Sequence, residues 1–236
     1  GAGALVLDVT GEERRLIHRL FKNEHIPGQV LGNGIDAQGL ARIAAAPSAD
    51  IFAGQSRLSL ADDYIIFVGR VDPSKGCDQL LDHFTRYKAE TGSPVKLVLI
   101  GKPTMPIPPH PDIVALGFLK DDPYDWMARA RALVLPSTME SLSLVLLESL
   151  GLGVPVLVNG DCDVTRGHCR RSNGGLYYRT YEEFAAALTL LLTQPGLAHQ
   201  LGRQGQRYVQ ENYAWEVVEQ RFVDWLTWVA DRTPKP

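Results

Sequence analysis

The 236-residue chain is short of cysteine, of net charge and of long apolar runs, and each shortage removes a class of protein. Three cysteines, Cys77, Cys162 and Cys169, are too few and too odd in number for a secreted disulfide framework; they suit a reducing, cytoplasmic setting. A net charge of -3 supplies no overall field toward nucleic acid or an anionic membrane surface, so any anion site has to be local. No apolar run approaches the roughly 18 to 20 residues that span a bilayer, and no basic stretch leads into an apolar one at the start. No G-x-G-x-x-G follows a strand and opens a helix, which argues against a dinucleotide-dependent oxidoreductase. No internal repeat is present. Gly1 stands where Met would be expected and an apolar run begins by Ala4, which reads as a chain opening partway through a larger protein.

What is present is a 45% hydrophobic chain that can bury one core of ordinary size. Ala4 to Val9 is a short apolar run, and Thr10-x-x-Glu13 has the form of a capping box opening a helix to about His25. Gln29 to Leu31 is a candidate strand. Residues 36–63, rich in Ala, Ser and Gly, read as an irregular linker with room for one short helix. Tyr64 to Val68, Val95 to Ile100, Ala132 to Leu135 and Val154 to Val158 are apolar and partly β-branched, the pattern of strands buried on both faces of a parallel sheet. Helical segments are expected between them, at about Ser74 to Ala89, from Asp121-Asp122-Pro123 onward, and at Ser143 to Leu150. Three more follow, at about Tyr181 to Leu192, Leu197 to Glu211 and Trp215 to Ala230. The alternation predicts a doubly wound α/β fold with a parallel, Rossmann-like sheet.

Ligands of such sheets bind beyond the carboxyl ends of the strands. Arg70 follows the first long strand directly. Lys75 is placed in the first turn of the next helix, where the positive end of the dipole disfavours a cation. One reading is a structural pair with Asp72; the other is a phosphate held by two cations and a helix start, with Gly69 and Gly76 allowing close backbone approach. In the segment from Pro136 to Glu148, Glu140 lies in a loop and Glu148 interrupts an apolar run, where an unpaired carboxylate is costly. An anion at the helix start with a carboxylate on either side of it matches a nucleotide sugar, in which a diphosphate separates ribose from the transferred sugar. The alternative makes Glu140 a solvated loop acid and Glu148 a helix acid reaching water. The segment from Asp161 to Arg171 carries Cys162, His168 and Cys169, but it lacks a C-x2-C unit, so structural or substrate-loop use is expected and no metal.

Five elements in order, Gly32-Asn33-Gly34-Ile35-Asp36, Phe67-Val68-Gly69-Arg70 with Lys75-Gly76, Pro136-Ser137, Glu140 with Glu148, and Gly153-Val154-Pro155-Val156, resemble the C-terminal domain of family-4, group 1 glycosyltransferases. The resemblance covers about residues 28 to 228, and the family's E-x7-E spacing matches Glu140 and Glu148. It implies the C-terminal half of a GT-B architecture. Residues 1–35 would be the last strand-helix-strand of an otherwise absent N-terminal acceptor domain, 36–63 a linker, 64–212 the nucleotide-sugar-binding domain, and 213–236 a crossover helix and tail. By the same resemblance Arg70 and Lys75 meet the diphosphate, Glu148 the ribose and Glu140 the donor sugar. The backbone of Ser141, Leu142, Ser143 and Leu144 meets sugar and diphosphate, while Gly69, Gly101 and Leu119 line the donor pocket. Where the family often has Gly-Phe-Gly after the first Glu, this chain has Ser141-Leu142-Ser143.

The implied reaction is transfer from a nucleoside-diphosphate sugar to an acceptor with retention of configuration, needing no metal and no cofactor. The implied partners are the nucleotide sugar and the N-terminal domain, with peripheral membrane association only through that absent half and no nucleic acid. The chain alone is expected to bind donor without turnover. A non-catalytic nucleotide-sugar-binding or scaffold domain is the rival reading.

Overall fold

A computed structural model describes residues 6–119 and 123–232. The expectations for Ala4, Asp121, Asp122 and the tail from Thr233 lie outside the described residues. The chain opens with β1 (Val6–Asp8), α1 (Gly11–Phe21) and β2 (Gly28–Val30), the two strands forming a parallel pair. The capping box forms: the Glu13 N–H donates to the Thr10 hydroxyl at 3.1 Å and the Glu13 carboxylate accepts the Val9 N–H at 2.9 Å. Acidic Glu12 and Glu13 occupy the first turn and basic His18 and Arg19 the last, as the dipole favours. Lys22 turns left-handed at φ 50° and ends the helix at Phe21, short of His25.

The stretch read as an irregular linker with room for one short helix holds that helix, α2 (Ala37–Ala45), capped by the Asp36 side chain accepting from the Gly39 N–H. Its Leu40 is buried in the main core beside residues of the later helices.

The main sheet contains β3 (Tyr64–Val68), β4 (Lys96–Ile100), β5 (Ile113–Gly117), β6 (Ala132–Leu135), β7 (Val156–Asn159) and β8 (Gly175–Tyr178). Their spatial order is β5-β4-β3-β6-β7-β8, and every pairing is parallel. The chain runs outward from β3 to one edge, returns to β6 and continues to the other edge. The reversal opens a crevice at the carboxyl ends of β3 and β6.

Flanking the sheet are α3 (Cys77–Thr91), α4 (Tyr124–Arg129), α5 (Leu144–Gly151), α6 (Asp163–Ser172), α7 (Tyr181–Thr193), α8 (Pro195–Asn212) and α9 (Trp215–Arg232). Alternate strand residues feed two cores. Ile66, Val98, Leu133 and Val156 pack on one face, and Ile65, Leu97, Val134 and Leu157 on the other. Hence the runs read as continuously apolar.

Several expectations need correction. The helix anticipated from Ser74 begins at Cys77, preceded by a single 3-10 turn at Pro73–Lys75, so Lys75 lies before the helix. Pro123 takes the N-cap position of α4, and the helix starts at Tyr124. β5 was not anticipated. Of the two uses expected for the segment from Asp161 to Arg171, structural or substrate-loop, the buried positions of Cys162, His168 and Cys169 agree with the structural one, on a helix rather than a loop. On α9, Val218 and Trp225 are buried whereas Trp215 and Phe222 are exposed. Among the described residues no helix is long and apolar enough to cross a membrane.

Candidate functional site

The β3 to α3 connection is built around Asp72. Its carboxylate accepts the Lys75 N–H at 3.2 Å and the Ser74 hydroxyl at 2.5 Å, and it pairs with Arg70. The Ser74 hydroxyl, against an upward push from burial, and then Arg70 hold this carboxyl below its ordinary pKa. Lys75 points elsewhere: its Nζ meets Glu140 Oε1 at 2.8 Å. The Asp72–Lys75 side-chain pair, one of the two readings of this segment, does not form: Asp72 pairs with Arg70, and Lys75 with the carboxylate 65 residues away.

Glu140 comes from the connection between β6 and α5. That connection is pinned at its start by Asn159, whose side-chain amide donates to the Pro136 carbonyl at 3.1 Å, and by the Ser137 hydroxyl donating to the Lys75 carbonyl at 3.3 Å. Ser143 closes it in a left-handed conformation at φ 65°, at the N-cap position of α5 but without a side-chain capping bond. Leu146 and Leu147 make the first helical bonds, both to the Ser143 carbonyl. The earlier amides of Leu144 and Val145 are therefore open to an external acceptor. Four residues into α5, Glu148 accepts the Tyr124 hydroxyl at 3.0 Å. Tyr124 had no signal in the sequence beyond an aromatic after Pro123.

These groups share one hollow. A cavity of ≈ 350 Å³ at the carboxyl ends of β3 and β6 is lined by Gly69, Lys75, Glu140, Ser143, Leu144 and Glu148, together with Phe67, Val68, Leu135, Ser137 and Val145. Its lining holds one cation, two carboxylates and the start of a helix. Arg70, its side chain 58% exposed and turned to Asp72 and Ser74, is not part of this lining. Gly101, Leu119, Ser141 and Leu142 also fall outside it. Gly101 has a packing role: at φ 140° it lies against the Gly69 carbonyl, where a side chain has no space. Leu119 packs against the core, and Leu142 is buried within it.

Two further hollows flank the first. Glu140 and Ser141 also line a cavity of ≈ 480 Å³ between α1 and the residues from Asp161 to Val164, which includes Arg15, Leu16, Arg19 and Met139. Leu144 and Glu148 also line a third, of ≈ 400 Å³, with Tyr124 and Trp215. Among the described residues no group of three or more His, Cys, Asp or Glu is gathered where a metal could be held.

The model of the family "Glycosyl transferases group 1" matches residues 62–194, the span that contains this cavity. The chain belongs to this family. Among the relatives of this group 1 glycosyltransferase chain is the D-inositol 3-phosphate glycosyltransferase of Kribbella flavida, 27% identical over 232 residues, covering 89% of this chain and 53% of that protein. A glycosyltransferase of Rickettsia africae superposes with a TM-score of 0.82 at 12% identity, over 98% of this chain and 65% of the other. HepE of Anabaena, solved in complex with UDP and glucose, gives 0.76 at 15% identity over 94% and 62%. The architecture is that of GT-B glycosyltransferases, and the chain spans about half the length of the curated relatives it matches.

Proposed function

We propose that this chain is the donor-binding half of a retaining glycosyltransferase, taking a sugar from a nucleoside-diphosphate sugar. The observation that carries the reading is the convergence of Lys75, Glu140, Glu148 and the first amides of α5 on one cavity. The diphosphate lies against Lys75 and the Leu144 and Val145 amides, a cation and a helix N-terminus being matched to developing negative charge on the leaving group. Glu148 accepts from the ribose hydroxyls, with Tyr124 fixing its carboxylate. Glu140 accepts from hydroxyls of the transferred sugar. Arg70 joins the diphosphate by exchanging Asp72 for it, a change open to an exposed side chain. With these groups supplying the countercharge, no metal is needed.

The acceptor approaches from the cavity on the α1 side of Glu140, since that carboxylate walls both hollows. An N-terminal domain contributes the rest of the acceptor site, and the chain alone binds donor without turnover. UDP is the first probe because structural neighbours were solved with UDP and with UDP-2-fluoro glucose. Calorimetric titration with UDP, ADP, GDP and CDP is expected to show binding to at least one, weakened in Arg70→Ala. Binding of none, or full affinity in that variant, contradicts the proposal.

A further inference from the structure

Thr10 is 2% exposed and carries out two tasks with one hydroxyl. It accepts the Glu13 N–H as the cap of α1, and it donates to the Ser141 carbonyl at 3.0 Å across 131 residues of sequence. A hydroxyl has one proton and two lone pairs, so both bonds are made without conflict.

The platform behind it is anchored. Glu12 pairs with Arg171 of α6, and Arg171 Nε donates to the Tyr208 hydroxyl of α8 at 3.3 Å. Burial pushes the Glu12 carboxyl up, but the Arg171 hydrogen bond and charge outweigh it, so its pKa is lowered and the pair stays charged.

Resting on the donor reading above, we infer that Thr10 is a positioning residue for the candidate site, fixing the orientation of the Ser141-Leu142 peptide plane. The peptide is planar, with its N–H directed opposite to its C=O. Holding the Ser141 oxygen on the α1 side therefore turns the Leu142 N–H to the other side. The turn needs such support: Ser143 is left-handed without being glycine and offers no side-chain cap. The start of the connection is held by Asn159 and Ser137, and Thr10 holds its end, so α1 becomes a brace for the backbone that presents the α5 amides.

Two substitutions separate the tasks. Thr10→Ser keeps donor and acceptor. Thr10→Asp keeps the helix cap, but when ionised it has no proton to give and repels the Ser141 oxygen. Amide hydrogen exchange at Leu142 and Ser143 is expected to stay near wild type in Thr10→Ser and to accelerate about tenfold in Thr10→Asp, with α1 itself unchanged. Equal exchange at these amides in the two variants overturns the inference, whether or not a nucleotide binds. UDP titration adds a separate reading: about tenfold weaker binding is expected in Thr10→Asp and none of that loss in Thr10→Ser. Faster exchange with unaltered UDP affinity overturns the claim that this peptide plane serves the site. A wild-type chain that binds no UDP counts against the donor reading alone, and exchange still decides what Thr10 does.

Discussion

The Lys75 ammonium and Glu140 carboxylate, 34% and 17% exposed, are a half-buried pair whose members both line the candidate cavity. If Lys75 also meets a diphosphate, Lys75→Met should lower nucleotide affinity by about tenfold or more, the scale of a charge-assisted hydrogen bond, as read by calorimetry. Ser143 offers a stability test. Its left-handed backbone costs about 1 to 2 kcal/mol, offset in part by the extra freedom of glycine in the unfolded chain, so Ser143→Gly should gain about 0.5 to 1 kcal/mol in urea denaturation. His168 is fully buried, with Nδ1 3.0 Å from the Tyr208 hydroxyl. Burial, then the neighbouring Arg171, lower its pKa to about 4. The unfolded chain, with an ordinary imidazole, takes up the proton first as pH falls. Stability is therefore full above about pH 6.5 and declines toward pH 4, by on the order of 3 kcal/mol for this group. His168→Gln should flatten that acid limb in denaturation curves measured between these pH values.

At the scale of elements, legibility followed burial pattern. β3, β4, β6 and β7 could be read because both faces are apolar; β5 could not, because Pro103, Pro106, Pro108, Pro109 and Pro111 crowd its approach and obscure a five-residue strand. α6 was hidden for another reason. Its buried face, Val164, Thr165, His168, Cys169 and Ser172, keeps helical spacing, but most of these residues are small or polar, so no apolar stripe marks it in the sequence. α2 was diluted by alanines and anchored by Leu40. The caps show both the strength and the limit of local rules. Thr10 was readable as a cap, whereas its bond to Ser141 was not, since no short-range pattern encodes a partner 131 residues away. Arg70 illustrates the same limit: sequence places it after β3, but the nearby Asp72 competes for its guanidinium. Because Glu12 is held below its ordinary pKa by Arg171, the hold of α1 on α6 should weaken as pH falls through that lowered value. Exchange of the α1 amides should then rise before that of β3 and β4, which is checked by amide exchange across an acid series.

For the whole molecule, the sheet order creates the site. The reversal between β3 and β6 brings Gly69 and Lys75 from one connection and Glu140, Ser143, Leu144 and Glu148 from another into one hollow. Six of the eleven residues singled out from the sequence meet there. Arg70 fell outside because position after a strand fixes which end of the sheet a residue occupies, not which way its side chain turns, whereas Gly101 is taken up in packing against the Gly69 carbonyl and Leu119 and Leu142 in packing with the core. The group 1 glycosyltransferase family is established by the match over residues 62–194, and the donor role of the cavity is the claim left to measure. The most direct measurement is an NMR titration of the isotopically labelled chain with UDP, following backbone amides. The account predicts concentration-dependent shifts at Gly69, Lys75, Leu144, Val145 and Glu148. Shifts confined to residues outside this hollow, or no shifts at any UDP concentration, would contradict it.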